Sequence, residues 1–481
     1  MEHSGHAWLE NWSLHEVSEA ISRGELSSVD VVKACLERIG ELDSKVNSVL
    51  EINPDALHIA EAMDQEQRLK GRRGVLHGIP VLLKDNIDTG DKMHTSAGSL
   101  ALADSYAPAD SCVAERLRQA GAVVLGKTNM TEWANFMAHD MPPGYSSRGG
   151  QVLNPYGQGR FHPGGSSSGS GAAVACGFVP AAIGTETSGS ILSPASANSV
   201  VGIKPTVGLV SRRGIIPIMN SQDTAGPLAK TVADAAVVLA AISGVDSADP
   251  VTLAGEGMYG EDYTRLLDKN ALRGSRIGVP RDGYERLNPH QVSIMDTAVQ
   301  ALKSEGATVL DAVPLKAITD RIDRTAMIHE FKPAINAYLS KLLPHVAVHS
   351  LKELIRYNYA NAHNMLHYGQ ALLVLAEQTS GTLTEPEYLR SRLDDLRVCR
   401  IEGIDRVMRE HSLDALLMPG SVGSWVAAKA GYPSVCVPGG YQQSGEPFGV
   451  TFTGTGYSEP VLIRLAYAFE QATQFRRPPN I

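Results

Sequence analysis

The run Pro163-Gly-Gly-Ser-Ser-Ser-Gly-Ser-Gly171, leading without a break into Ala172-Ala-Val-Ala-Cys176, limits what this chain can fold into more than any other stretch. Glycine and serine at that density do not hold a strand or a helix interior, yet the residues that follow read as buried and helical. A flexible linker is one reading. Linkers do not usually lie between a strand and a buried-looking helix, and Ala181 to Gly184 reads as the next short strand. The loop is therefore expected inside the fold, presenting backbone N–H groups and hydroxyls at a helix N-terminus to whatever sits above it.

Around this loop, strands and helices alternate. Ser13-Leu-His-Glu16 and Ser27-Ser-Val-Asp30 have the spacing of capping boxes and open two amphipathic helices. Ile79-Pro-Val-Leu-Leu-Lys84, Ala122-Val-Val-Leu125 and Ala181 to Gly184 then read as strands, which places the chain in the α/β class. From Pro289 to about His411 the pattern is mainly helical, with one short strand near Ala307 to Leu310. Strand-like runs return at Leu413–Met418, Tyr432–Val437 and Phe448–Thr453, before a last helix from Pro460 to about Gln471. No linker or repeat separates these parts, so residues 1–481 are expected to form one domain with a helical insertion at about 289–411.

Composition narrows the function. With 52 acidic against 43 basic residues and no long run of either sign, a phosphate-backbone partner is disfavoured, and no nucleic acid is expected. The most apolar stretch, Ala172 to Gly184, is too short and too interrupted to span a membrane. Met1 to Glu10 carries neither a basic nor an apolar leader region, which points to the cytoplasm. Cys35, Cys112, Cys176, Cys399 and Cys436 are scattered, without a Cys-x-x-Cys pair, and are read as small buried hydrophobes.

Three elements could carry chemistry. The first is the serine-glycine loop. The second, Gly184-Thr-Glu-Thr-Ser-Gly-Ser190, allows the backbone to turn tightly and aim successive N–H groups at one spot, as an oxyanion requires, although a plain strand-to-loop turn fits as well. The third is Lys84, emerging from Val81, Leu82 and Leu83. A lysine that loses hydration there favours its neutral form and becomes usable as a base, whereas most lysines at strand ends are simply solvated. Serine needs a neighbouring base to become a nucleophile, and serine–lysine arrangements are known alternatives to those with histidine.

These residues resemble the amidase signature family over nearly the whole chain. Gly78-Ile-Pro-Val-Leu-Leu-Lys-Asp-Asn86 is similar to the family's lysine strand, Gly121-Ala-Val-Val-Leu-Gly-Lys-Thr-Asn129 to its next strand and turn, and the serine-glycine loop to its namesake motif. Val201-Gly-Ile-Lys-Pro-Thr206, Ser221-Gln-Asp-Thr-Ala-Gly-Pro227 and Gly431-Tyr-Pro-Ser-Val-Cys-Val-Pro438 follow in the family's order. The resemblance implies a mixed, mostly parallel β-sheet wrapped by helices. It makes Ser190 the nucleophile, Ser166 the bridging serine after a cis peptide bond, and Lys84 the base. It also implies an oxyanion hole at the backbone N–H groups of Thr187, Ser188, Gly189 and Ser190. The implied reaction is hydrolysis of a carboxamide to carboxylate and ammonia or amine through an acyl-serine, with no metal or organic cofactor. Ser188 stands where glycine is frequent in the family, and Leu192 where arginine is. Those departures weaken kinship with the glutaminase component of the tRNA-dependent amidotransferase, while the run Gly184-Thr-Glu-Thr-x-Gly-Ser-Ile191, with Val207-Gly-Leu-Val-Ser-Arg-x-Gly-Ile-Ile-Pro217, is most similar to peptide amidase-like members, which act on C-terminal peptide amides. The alternatives within the family are the glutaminase component of a tRNA-dependent amidotransferase, an esterase, and a non-catalytic scaffold.

Rival motifs coexist with this reading. Gly165-Ser-Ser-Ser-Gly169 fits a nucleophile elbow centred on Ser167, and Gly121 to Thr128 fits a phosphate-binding loop, but its apolar middle suits a strand better. His345/His349 and His363/His367 have a spacing that could share a metal on a helix; surface or packing histidines are the better reading. Trp133 and Phe136 line an acyl pocket or pack in the core. Asp223 orients the serine loops or caps a turn. The partner is expected to be a small-molecule or peptide amide; oligomeric state stays open, with a homodimer as the candidate.

Overall fold

The first two serine caps behave as their spacing predicts. Ser13 accepts from the Glu16 N–H and Ser27 from the Asp30 N–H, while each acid returns a bond to its cap, opening the helices Leu14–Ser22 and Ser28–Leu42; such caps contribute about 1 kcal/mol each. The computed structural model describes residues 6–258, 262–318 and 323–481. Half of the Met1 to Glu10 leader reading and four residues of the expected insertion therefore lie outside the described residues.

The strands are β1 (Val49–Ile52), β2 (Pro80–Lys84), β3 (Val123–Thr128), β4 (Tyr145–Ser146), β5 (Gly150–Gln151), β6 (Ala181–Glu186), β7 (Val201–Lys204), β8 (Thr224–Ala229), β9 (Arg276–Val279), β10 (Thr308–Asp311), β11 (Ala415–Pro419), β12 (Ser434–Tyr441) and β13 (Pro447–Thr453). β4 and β5 pair as a separate hairpin. The other eleven form one mixed sheet in the order β1-β3-β2-β6-β8-β7-β12-β13-β11-β9-β10. Its parallel pairs lie on the two flanks, β3-β2-β6 and β11-β9-β10. The run from β6 through β8, β7, β12 and β13 to β11 is antiparallel. With the helices around it, this is the expected mixed sheet wrapped by helices.

The flank β3-β2-β6 positions the serine and lysine residues. β2 and β6 are parallel, with Val81 to Leu83 opposite Ala181 to Ile183, so Lys84 and Glu186 end their strands on the same edge of the sheet. In open α/β sheets this edge, beyond the carboxyl ends of parallel strands, is where ligands usually bind. The serine-glycine run enters the helix Ser168–Ala175, every residue of which is buried. That helix packs on β2, β3, β6 and β8, which only small side chains permit at such close range.

The phosphate-loop motif is β3 itself. Its Lys127 is fully buried and donates to the Ile87 carbonyl at 2.6 Å and Thr95 Oγ1 at 2.9 Å.

The helix Pro289–Ser304 and β10 belong to the sheet, β10 pairing with β9. Beyond them the chain runs through helices Thr325–Leu339, Leu351–Ala360, Ala371–Glu377 and Pro386–Asp394, the last continuing as a π-helix, Asp395–Asp405. These helices carry a separate core in which Phe331, Ile335 and Leu372 meet Trp133, Phe136 and Met137 from the other end of the chain. All five cysteines are buried. Among the described residues, no helix is long and apolar enough to cross a membrane.

Candidate active site

β2 carries Lys84 into the protein interior, where it is fully buried. Its Nζ donates to Ser166 Oγ at 2.7 Å, to Thr185 Oγ1 at 2.9 Å and to the Thr185 carbonyl at 3.2 Å. The Asn86 amide donates to the same Thr185 hydroxyl at 3.0 Å, fixing its orientation. Loss of hydration pushes Lys84 down to about 7, against the opposing pull of Glu186 and Asp223. The ammonium and amine forms therefore both exist near neutral pH.

Ser166 follows a cis Gly165–Ser166 peptide bond. Its neighbour Ser167 is fully buried; its hydroxyl donates to the Thr185 carbonyl at 3.1 Å and accepts from the Thr185 N–H at 3.2 Å. Those bonds tie the loop to β6 and remove Ser167 as an elbow nucleophile. The Ser167 N–H also donates to the Ser190 carbonyl at 3.1 Å, which joins the two serine loops directly.

The loop after β6 is folded around Glu186, a residue that local sequence pattern does not single out. Its buried carboxylate accepts from the N–H groups of Gly189 at 2.7 Å, Ile191 at 2.7 Å and Leu192 at 3.1 Å. Burial raises the carboxyl, while the charge of Lys204 and the three N–H bonds hold it down. The Gly189 N–H, one of the donors expected for an oxyanion, is thus directed at Glu186. No acceptor for the N–H groups of Thr187, Ser188 or Ser190 is found among the described residues. Gly189 itself has φ +84, where a side chain is strained.

Asp223 does both of the things expected of it as alternatives. It accepts from Thr187 Oγ1 at 2.5 Å, bracing the loop before Ser190, and from the N–H groups of Ile218 and Met219 at 2.8 and 2.9 Å. Burial pushes it up to about 6 against those bonds.

Thr187, Ser188 and Ser190 line a cavity of about 390 Å³. Phe136 lines it too and stacks on Phe331 with ring centroids 4.4 Å apart, whereas Trp133 is buried in the second core. Trp133, Ala134 and Asn135 have φ of +50, +52 and +71, a left-handed turn whose last two residues line the cavity. The facing wall comes from Met327, Leu372, Val422, Trp425, Lys429 and Asp395. None of these is evident from sequence, because nothing in their local spacing says that segments a hundred residues apart meet.

The histidine pairs do not converge. His345 Nε2 bonds the Asp104 carbonyl at 3.1 Å, and the short helix Ala362–Met365 ends before His367, which stacks near Tyr145 and Tyr368.

The chain as a whole is similar to known proteins. Residues 30–463 match the family model described as Amidase. Peptide amidase from Stenotrophomonas maltophilia is 45% identical in sequence, with a TM-score of 0.93 covering 98% of each chain. A protein of Arabidopsis thaliana named as a probable amidase is 42% identical over 98% of this chain and 92% of its own. A glutamyl-tRNA(Gln) amidotransferase component from Gloeothece citriformis is more distant, 32% identical over 97% of this chain and 99% of its own. With its length matched to the family model and to these relatives, the chain belongs to the amidase family.

Proposed function

We propose that the protein hydrolyses the terminal carboxamide of short peptides, releasing ammonia through an acyl ester on Ser190. The observation that carries this reading is the 2.7 Å contact between Lys84 Nζ and Ser166 Oγ, in a site dry enough to push Lys84 down to about 7. The similarity to a peptide amidase at 45% identity supports the choice of substrate class.

In the proposed cycle, neutral Lys84 accepts the Ser166 hydroxyl proton while Ser166 Oγ takes the proton of Ser190. Ser190 Oγ bonds to the amide carbon, and the carbonyl electron pair moves to oxygen. That oxyanion meets the N–H groups of Thr187, Ser188 and Ser190, while the Gly189 N–H stays on Glu186 and holds the loop in shape. As the oxyanion collapses, the C–N bond breaks, the nitrogen takes a proton from Ser166, and Lys84 returns its proton to Ser166. Ammonia leaves. Water then adds to the ester carbon, its proton passing along the same route, and collapse releases the carboxylate and the Ser190 hydroxyl. Asp223 keeps Thr187 in place throughout and makes no contact with the reacting atoms in this cycle.

Ammonia release from a panel of primary amides tests the proposal: short aliphatic and aryl amides, L-glutamine, and C-terminal peptide amides, with wild type beside Ser190→Ala. Peptide amides are expected to be preferred, and release is expected to vanish in the variant. Release that persists in Ser190→Ala would remove Ser190 as the nucleophile, and preference for glutamine would point to the amidotransferase components instead.

A further inference from the structure

The fold leaves two arginines of the active-site cavity uncommitted. Arg286 ends the short turn Tyr284–Arg286 and Arg324 stands immediately before the helix Thr325–Leu339, so separate segments bring them to the cavity that Ser190 lines. Both are exposed. Among the described residues the Arg324 guanidinium has no ion pair or hydrogen bond, and Arg286 has only the carboxylate of the adjacent Glu285, 3.7 Å away and beyond hydrogen-bond reach.

The acids of the same cavity are committed. Asp323 accepts from Ser391 Oγ at 2.5 Å and from the Thr325 N–H at 2.8 Å. Asp395 accepts from Lys429 Nζ, on the helix Ser424–Ala430 that packs on the π-helix Asp395–Asp405, and the charge of Arg392 acts on it as well. The lining thus carries three cations, Arg286, Arg324 and Lys429, against two acids, and adding Glu285 and Arg392 leaves the surplus positive. The chain as a whole is acidic, at −9, but exposed charges more than about 10 Å apart are largely screened, so the local surplus decides what the cavity attracts.

A guanidinium presents a planar fork of N–H donors that matches a carboxylate, whereas an ammonium is repelled by it and a neutral side chain gains little. A cavity of about 390 Å³, if round, is about 9 Å across, the length of two or three extended residues. A side chain that reaches the arginines from an amide held at Ser190 therefore belongs to one of the two residues before the amidated one. We propose that Arg286 and Arg324 bind a side-chain carboxylate at one of those two positions, and so select acidic peptide amides. This rests on the peptide-amide reading above and names the members of that class that the site favours.

The test measures ammonia release from two series, N-acetyl-X-leucinamide and N-acetyl-X-alanyl-leucinamide, with X aspartate, serine or lysine. In wild type at low salt, aspartate is expected to exceed lysine in kcat/KM by about tenfold in at least one series, with serine between them, and high salt should narrow the gap. Arg286→Gln and Arg324→Gln should each lower the aspartate-to-lysine ratio, and the double variant should bring it to about one. Neither guanidinium makes a hydrogen bond within the described protein, so these exchanges do not put folding at stake. A wild-type ratio of about one or below in both series, or a ratio unmoved in the double variant, overturns the inference and leaves the peptide-amide reading standing. No release from any of these substrates by wild type overturns both.

Discussion

Around Ser190 the buried side chains of Lys84, Ser167, Glu186 and Asp223 all have hydrogen-bond partners, most of them backbone groups. Across the cavity, Asp395 and Trp425 each keep a buried polar atom without one. The first region is built from neighbouring strands of the sheet, the second from a helix and a π-helix that share a smaller core with β11. The difference is physical: groups that must hold a charge-developing geometry need fixed partners before substrate arrives.

Variants on the two sides should therefore fail in different ways. Ser190→Ala is expected to lower kcat by about 10⁴-fold or more while leaving the melting temperature within about 2 °C, measured by ammonia release and calorimetry; the alanine removes a cavity-lining hydroxyl and no structural bond. Glu186→Gln should cost both activity and stability, because one carboxamide oxygen cannot serve three N–H donors and its NH₂ would face one of them. A loss of about 10²-fold in kcat with about 2 kcal/mol of stability is expected, from kinetics and urea unfolding, and an unchanged urea midpoint would break the contrast between the two regions.

The pH profile sharpens the same point. In the proposed cycle Lys84 acts as a neutral base, so kcat/KM should rise with pH through about 7. Asp223 and Glu186 both hold the Lys84 ammonium form up, so Asp223→Asn should move this limb to lower pH. The stability sign follows from linkage. Lys84 is depressed from 10.5 to about 7 in the folded state, so the unfolded chain binds more protons between those values and stability rises with pH across that window. In Lys84→Met that contribution should disappear from the difference between unfolding profiles at pH 7 and pH 10. The smallest effect is expected far from both regions. Leu393→Ala, at a side chain 66% exposed on the helix Pro386–Asp394, should change stability by under about 0.5 kcal/mol and leave ammonia release as it was.

Much of this contrast could be read in the sequence on one side only. The serine-glycine loop that carries Ser166 stands out by composition, whereas the Ser190 turn and Lys84 at the end of β2 each admit a plain structural reading and are picked out by the resemblance. Glu186 escaped because an acid after a strand ordinarily faces water; its burial depends on Lys204 and on the turn that wraps it. β8 escaped for a different reason. It carries Gly226 and Pro227, residues that argue against a central strand, yet Pro227 sits opposite Ile183 in register. A side chain at Gly226 would run into the Ile203 backbone and Pro205, so close packing of neighbouring chain sets that glycine. The facing wall was illegible altogether, since Trp425 and Asp395 meet only through tertiary packing of a helix on a π-helix.

The left-handed turn Trp133–Asn135 bears on how such a protein could be engineered. Three successive non-glycine residues there hold a backbone that glycine would adopt more cheaply, by about 1 kcal/mol at each position. Ala134→Gly is thus a candidate for greater heat tolerance obtained without touching any hydrogen bond. Because Ala134 also lines the cavity, the same exchange would enlarge and loosen that lining, so durability and choosiness compete at a single residue.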